Sequence, residues 1–226
     1  MLTPDQVEAL LNEPIYSWDS LTLLGDVEDF LDFSEANIER QARRELRATA
    51  LECDRVEFED PLDTARYREQ RIEGVQYRFK TSLTQRVRYS GLTAVITTLE
   101  WSLIVMKGRA SFPIPKTPKK TNEAVHLLTV FAETSRQDRA SEIEELKLLT
   151  QVRNCIVHSA GRSDTYEFAV ELRQALAGHA SIKLSTASYL GECIEIGRGF
   201  LQAVVKRAER WLPALEKEMH LQGLLR

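Results

Sequence analysis

Cysteine and histidine are scarce in this 226-residue chain. The three cysteines, Cys53, Cys155 and Cys193, are far apart and never form a C-x-x-C pair. That usage argues against a disulfide framework or a thiolate zinc site and suits free thiols in a reducing compartment. The four histidines, His126, His158, His179 and His220, form no H-E-x-x-H. No P-loop glycine–lysine signature occurs, and Gly197-x-Gly199 is a lone pair followed by Gln202 where a dinucleotide fold needs glycine. Zinc proteases, P-loop phosphotransferases and dinucleotide enzymes fall away, and no metal or cofactor is expected. Long apolar runs are also missing. Ala94–Leu99 and Leu103–Met106 are separated by Glu100, and no basic region followed by an apolar stretch opens the chain. The expectation is a cytoplasmic protein with no membrane span.

What is present is an ordinary globular balance: 43% hydrophobic and 28% charged residues, with a net charge of −4. That argues against intrinsic disorder and fits one large domain, or a core with an extension. The charge is unevenly placed. Between Gly74 and Lys120 stand nine basic residues (Arg78, Lys80, Arg86, Arg88, Lys107, Arg109, Lys116, Lys119 and Lys120) and one acid, Glu100. A basic strip on an acidic body can attract phosphates locally. The plain alternative is a set of solvated helix faces.

The chain reads as all-α, an antiparallel helical bundle. Thr3-Pro4-Asp5-Gln6 has the chemistry of a helix start, and Pro14 ends that helix. Asp19–Phe33 follows, then Ser34 as cap of a charged, mostly solvent-facing helix to about Glu52, then Leu62–Glu73 after the Asp60-Pro61 break. Residues 1–73 are read as an N-terminal helical extension and 74–226 as the core. In the core, Leu92, Val95, Ile96, Leu99 and Leu103 repeat at helical spacing and predict a buried helix over Val87–Lys107. Pro113, Pro115 and Pro118 make a loop, and Thr121–Thr134 is helical. Ser141 and Glu144 have capping-box spacing before a helix that Gly161 should stop. Asp164–Ala177 is read as helix, Ser181–Leu184 with Cys193–Ile196 as a small β-hairpin, and Gly197 to about Met219 as a final helix that Pro213 should kink or thin.

One constellation carries chemistry. Arg153, Asn154 and His158 cluster in the last turns of the helix before Gly161. Asn154 and His158, four apart, lie about 40° from each other on a helix and share a face, whereas Arg153 and His158 lie about 140° apart. Buried without partners, such groups would cost several kcal/mol, so they have partners or line a wet cleft. A structural reading is that they close the helix end, with His158 favouring the negative pole of the dipole. Histidine also serves as base or acid near neutral pH, and arginine offers a planar charged fork to phosphate. Arg173 with His179 is a second Arg–His pair, but it crosses Gly178 and has no asparagine.

Arg153-Asn154-x-x-x-His158 resembles the R-x(4–6)-H signature of the HEPN superfamily. Arg88-Tyr89-Ser90 and Glu100 look like the Arg–aromatic–Ser start and central glutamate of an earlier core helix in related bacterial HEPN proteins. The resemblance covers about Gly74–Trp211. It implies a HEPN-type bundle and a metal-independent endoribonuclease cleaving RNA by 2′-OH attack. Arg153, Asn154 and His158 would be catalytic, with Glu100 and Arg88 in support. One histidine cannot easily make both proton transfers, so a homodimer with a composite site is implied. Arg78, Lys80 and Arg86, with Tyr77, Phe79, Tyr89 and Trp101 interspersed, would guide single-stranded RNA, although these aromatics suit a core better than a stacking platform. A toxin or defence setting, with an antitoxin or regulatory protein as partner, goes with the family. Ala160 stands where some HEPN toxins carry a modifiable tyrosine, so that regulation is not implied. The alternative is a HEPN-fold binding or adaptor module without catalysis.

Overall fold

The computed structural model describes residues 16–188 and 191–226, the side chains of 187 and 188 excepted. The helix expected near Thr3–Pro14 lies outside the described residues. The fold is mostly helical, with one antiparallel two-stranded sheet. Helix α1 spans Trp18–Cys53, α2 Pro61–Gln76, α3 Thr84–Arg109, α4 Glu123–Ser135, α5 Ala140–Ser159, α6 Ala169–Leu176 and α7 Phe200–Leu221. Strands β1 (Ile182–Ser188) and β2 (Gly191–Ile196) form a hairpin in which Ile182 faces Ile196 and Leu184 faces Ile194.

Helix α1 corrects the expected break at Ser34. Its buried stripe (Leu24, Val27, Leu31, Glu35, Ala42, Thr49, Cys53) runs past residue 34 in steps of four and seven residues, so one face stays buried throughout and no cap is needed. The stripe packs along α3, where Ser102 Oγ bonds Ser20 Oγ at 2.6 Å. Leu24, Val27 and Leu31 belong to the same core as Leu92, Val95 and Leu103. The chain also crosses Gly74 without interruption: a π-helical segment, Tyr77–Leu83, joins α2 to α3 in one run from 61 to 109. That run contains a window long and apolar enough to cross a bilayer, which amends the expectation that no stretch reaches such a composition. Half of the window is buried inside the protein, as in any core helix.

Helix α3 is the central element, burying Leu92, Val95, Ile96, Leu99, Leu103 and Met106. Helix α7 closes the core with Leu201, Val204, Val205, Ala208, Leu212 and Leu215, and Pro213 lies inside it. The hairpin forms where its alternation predicts it. The second edge of β2 is covered: Gln85 exchanges bonds with the Ile196 backbone (2.9 and 3.2 Å), Arg88 donates to the Ile196 carbonyl (2.6 Å), and the Tyr89 hydroxyl donates to the Ile194 carbonyl. Three side chains at i, i+3 and i+4 thus satisfy an edge that would otherwise stay open.

Two local expectations change. Helix α5 starts after Arg139, with Asp138 Oδ1 accepting from the Ala140 amide (3.2 Å). Ser141 therefore lies inside the first turn, and Glu144 pairs with Lys147 instead of closing a capping box. Helix α6 covers only Ala169–Leu176. Upstream, the backbone makes separate turns (Tyr166 N to Ser163 O, 3.4 Å; Ala169 N to Tyr166 O, 3.2 Å) in place of a helical ladder, behind a Ser163 whose amide is bonded to Glu192 O of β2 at 3.0 Å.

Candidate functional site

Helix α5 presents Leu146, Leu149, Val152 and Cys155 to the core, so its neighbours Arg153 and Asn154 fall at the margin, half-buried. The guanidinium of Arg153 turns toward α3 and donates through Nη2 to Glu100 Oε1 at 2.8 Å. The same Glu100 oxygen accepts from Asn122 Nδ2 at 3.0 Å. Asn122 in turn caps α4, its Oδ1 accepting from Ala124 N (2.9 Å) and Val125 N (3.2 Å). Three helices are tied at one carboxylate. The Arg153 Nε donor is buried without a partner among the described residues, so the fork keeps hydrogen-bonding capacity beyond what Glu100 uses. Glu100 thus lies within hydrogen-bond reach of Arg153 and Asn122. Asn122 was not singled out in the sequence, although an Asn-Glu pair following a proline-rich loop is a recognisable helix start.

His158 lies one turn beyond Asn154 and is exposed. Among the described residues neither side chain makes a hydrogen bond, and no bond joins His158 to Arg153, as their angular separation predicts. The other three histidines are engaged. A His126 ring nitrogen lies 2.9 Å from the Pro115 carbonyl, and His220 contacts Tyr16. His179 Nδ1 accepts from Ser181 N (3.2 Å) and Ile182 N (3.0 Å). Arg173 pairs with Glu192 (2.8 Å), so the second Arg–His match consists of two side chains that anchor the hairpin.

The helix carrying the cluster stops where Gly161 suggests, one residue early: Ala160 (φ 52°) and Gly161 (φ 81°) are both left-handed. The Gly161 amide bonds the Cys155 carbonyl at 3.2 Å. A Cβ on Gly161 would stand 2.5 Å from the Tyr89 hydroxyl oxygen, so the tyrosine of the Arg-Tyr-Ser segment packs directly on this stop. Burial pushes the Cys155 thiol up to about 12, with Cys193 the next contributor, and burial raises Tyr89 as well. Cys155 is thus a core residue and no nucleophile.

Arg88 is placed elsewhere than expected. Besides the β2 carbonyl it bonds Glu35 of α1 at 2.7 Å, with both side chains nearly buried. It fastens the hairpin to α1 and α3 and has no bond to the Arg153–Glu100 pair. The basic strip divides in two, because Arg86 and Lys107 stand 21 residues apart on α3, about 30 Å. Lys107 pairs with Glu123, and Arg109 with Glu216. Arg78, Lys80 and Arg86 are exposed at the other end and make no ion pair among the described residues, although Arg78 lies 5.3 Å from the Phe79 ring centroid. Of the interspersed aromatics, Phe79 is buried and Tyr89 is bonded, so neither is a free stacking platform.

Beside the cluster, α1 and α3 leave an apolar groove of about 830 Å³, reaching Ile156 of α5 and lined by Leu23, Phe30, Ala94, Thr97 and Trp101. Trp101, Ile104 and Val157 are all substantially exposed. Among the described residues no three His, Cys, Asp or Glu side chains gather as a metal site. In comparison with known proteins, no family model, no curated protein and no solved structure matches the chain.

Proposed function

We propose that the chain is a HEPN-type endoribonuclease that cleaves RNA without a metal, at a composite site of two copies. The observation that carries this reading is the exposed His158, the one histidine with no hydrogen bond or ring contact among the described residues. It stands one turn from an equally unbonded Asn154, on the same helix end as an Arg153 that Glu100 holds in place. Its chemistry is that of a proton carrier near neutral pH. In the proposed reaction His158 takes the proton of the RNA 2′-OH and the freed oxygen attacks the adjacent phosphorus. The 5′-oxygen then leaves with a proton from the second copy's imidazole, giving a 2′,3′-cyclic phosphate. Arg153 stabilises the phosphorane through its fork, and Asn154 orients phosphate or imidazole.

The groove against Ile156 and the exposed Val157 support the two-copy arrangement, since burying that face in a symmetric pair would draw the two α5 ends toward each other. One observation favours the adaptor reading instead: Arg153 already spends a donor on Glu100 and is only one-fifth exposed.

The test is cleavage of a mixed RNA pool in chelator, with light scattering for assembly. The reading expects a dimer and cyclic-phosphate ends, and about 10²–10⁴-fold slower cleavage by His158→Ala. Arg153→Ala should also be slow, with circular dichroism unchanged, while Arg173→Ala stays near the parent. Folded Arg153 and His158 variants that cleave like the parent would overturn it. So would a strictly monomeric species at full specific activity, or 3′-OH products. A parent that cleaves nothing but binds a partner tightly would install the adaptor reading.

A further inference from the structure

The C-terminal half of α1 carries Arg40, Arg43, Arg44 and Arg47. Steps of three, one and three place all four within about 100° of the helix circumference over two turns. All four are exposed, and none makes an ion pair or hydrogen bond among the described residues. The acids of the same helix are directed elsewhere: Glu35 to Arg88, Glu39 to Arg198 at 3.1 Å, while Glu45 lies about 140° around the helix from Arg40. Most arginines in the core behave differently, each spent on a carboxylate, as at Arg109–Glu216, Arg139–Glu142 and Arg207–Glu145. A shallow groove of about 360 Å³ is bounded solely by these four arginines with Asn37 and Gln41, all of which can donate to anionic oxygens.

Four unneutralised guanidinium groups within two turns repel one another, and the helix gains if an anion with several charges spans them. On the same face, one heptad before Arg40, Phe33 is 68% exposed. Phe33 and Asn37 also line an adjoining depression with Arg86 of α3, so the row continues across to the neighbouring helix. Forks for successive phosphates, amides between them and a free ring at one end match the chemistry of single-stranded nucleic acid. An acidic peptide would answer the forks but leave the ring without a partner.

We propose that Arg40, Arg43, Arg44 and Arg47, with Phe33 and Arg86, form a backbone-binding site for single-stranded RNA, separate from the His158 cluster. The choice of RNA rests on the proposed ribonuclease function. The site acts through charge and stacking, and sequence preference is weak.

The experiment is fluorescence anisotropy of a labelled single-stranded RNA oligonucleotide, using the full chain carrying His158→Ala so that the probe survives. Five arginine–phosphate contacts at roughly 0.7 counterions each give a log–log salt slope of about −3.5, roughly a 100-fold loss of affinity between 50 and 200 mM salt. Replacing the four arginines by alanine removes most of that slope, and Phe33→Ala weakens binding roughly 5- to 100-fold. Both changes are at exposed positions, and circular dichroism confirms the fold. A folded quadruple variant with the parent's affinity and slope overturns the proposal. No measurable RNA binding by the parent, or a polyglutamate peptide binding as tightly as RNA, does the same. The two readings separate cleanly. If the His158-intact chain cleaves RNA and the quadruple variant binds and cleaves equally well, the arginine site is wrong and the function stands. If RNA binds through the row but no chain cleaves it, the site stands and the catalytic reading fails.

Discussion

Replacing Gly161 by alanine tests how the end of α5 is held. Gly161 has φ +81°, and a Cβ there would meet the Tyr89 hydroxyl oxygen at 2.5 Å and two ring carbons at 2.7 Å. Left-handed backbone costs a non-glycine residue about 1–2 kcal/mol. The steric term is harder to relax than most, because the Tyr89 ring cannot swing aside without losing its hydroxyl bond to the Ile194 carbonyl. Overpacking of this kind costs about 1–3 kcal/mol. The sum, roughly 2–5 kcal/mol, corresponds to a Tm loss of about 4–20 °C for a chain of this length. Thermal and urea unfolding followed by circular dichroism would measure it. The mechanism is checked by a cycle with Tyr89→Leu. Once the ring is absent, Gly161→Ala should retain only the backbone cost, leaving a coupling of at least about 1 kcal/mol. Gly91→Ala is the contrast. Its Cβ would meet the end of Leu31, a flexible side chain, at 2.6 Å, and an ordinary helical position gains propensity from alanine. The reasoning is refuted if Gly161→Ala lies within about 0.5 kcal/mol of the parent. It is equally refuted if the cost survives unchanged in the Tyr89→Leu background.

Arg88→Ala should destabilise by about 3 kcal/mol, because it leaves Glu35 nearly buried beside only a distant Arg198 at 3.9 Å and leaves the Ile196 carbonyl with Gln85 as its remaining donor. Replacing Arg88 and Glu35 together by Met and Leu should cost less, and urea midpoints compare the two. For Glu192, the Ser163 hydroxyl and then Arg173 hold the carboxyl below its usual range. Its folded value is therefore lower than its unfolded one, so its contribution is complete above the unfolded range, about pH 4.3, and disappears as pH falls through the folded value. Glu192→Gln should be less stable than the parent at pH 7, with the difference shrinking in acid; a Tm difference independent of pH between 3 and 7 would contradict this.

The helices of the core were legible because their cause is local. Leu92, Val95, Ile96, Leu99 and Leu103 repeat at the period of the helix itself, and Ile182–Leu184 with Cys193–Ile196 alternate at the period of a strand. The glycine stop after the Arg153 cluster was readable for the same reason, a left-handed residue being demanded at one place. Partner choice was not readable in this way. Arg88 could not be assigned from its neighbours, since its acceptors are 53 residues before it and 108 after it. Asn122 falls inside the helix expected over Thr121–Thr134, and nothing local ties its amide to Glu100, 22 residues away. Ser34 carries a cap's chemistry, yet the buried stripe of α1 runs past it onto α3, and burial along a whole helix outweighs one side-chain bond. The arginines at 40, 43, 44 and 47 show their shared face in the spacing alone. That no carboxylate comes to meet them is a property of the folded surface. Which acids lie within 4 Å of a guanidinium depends on how distant segments pack, and helical periodicity carries no information about that.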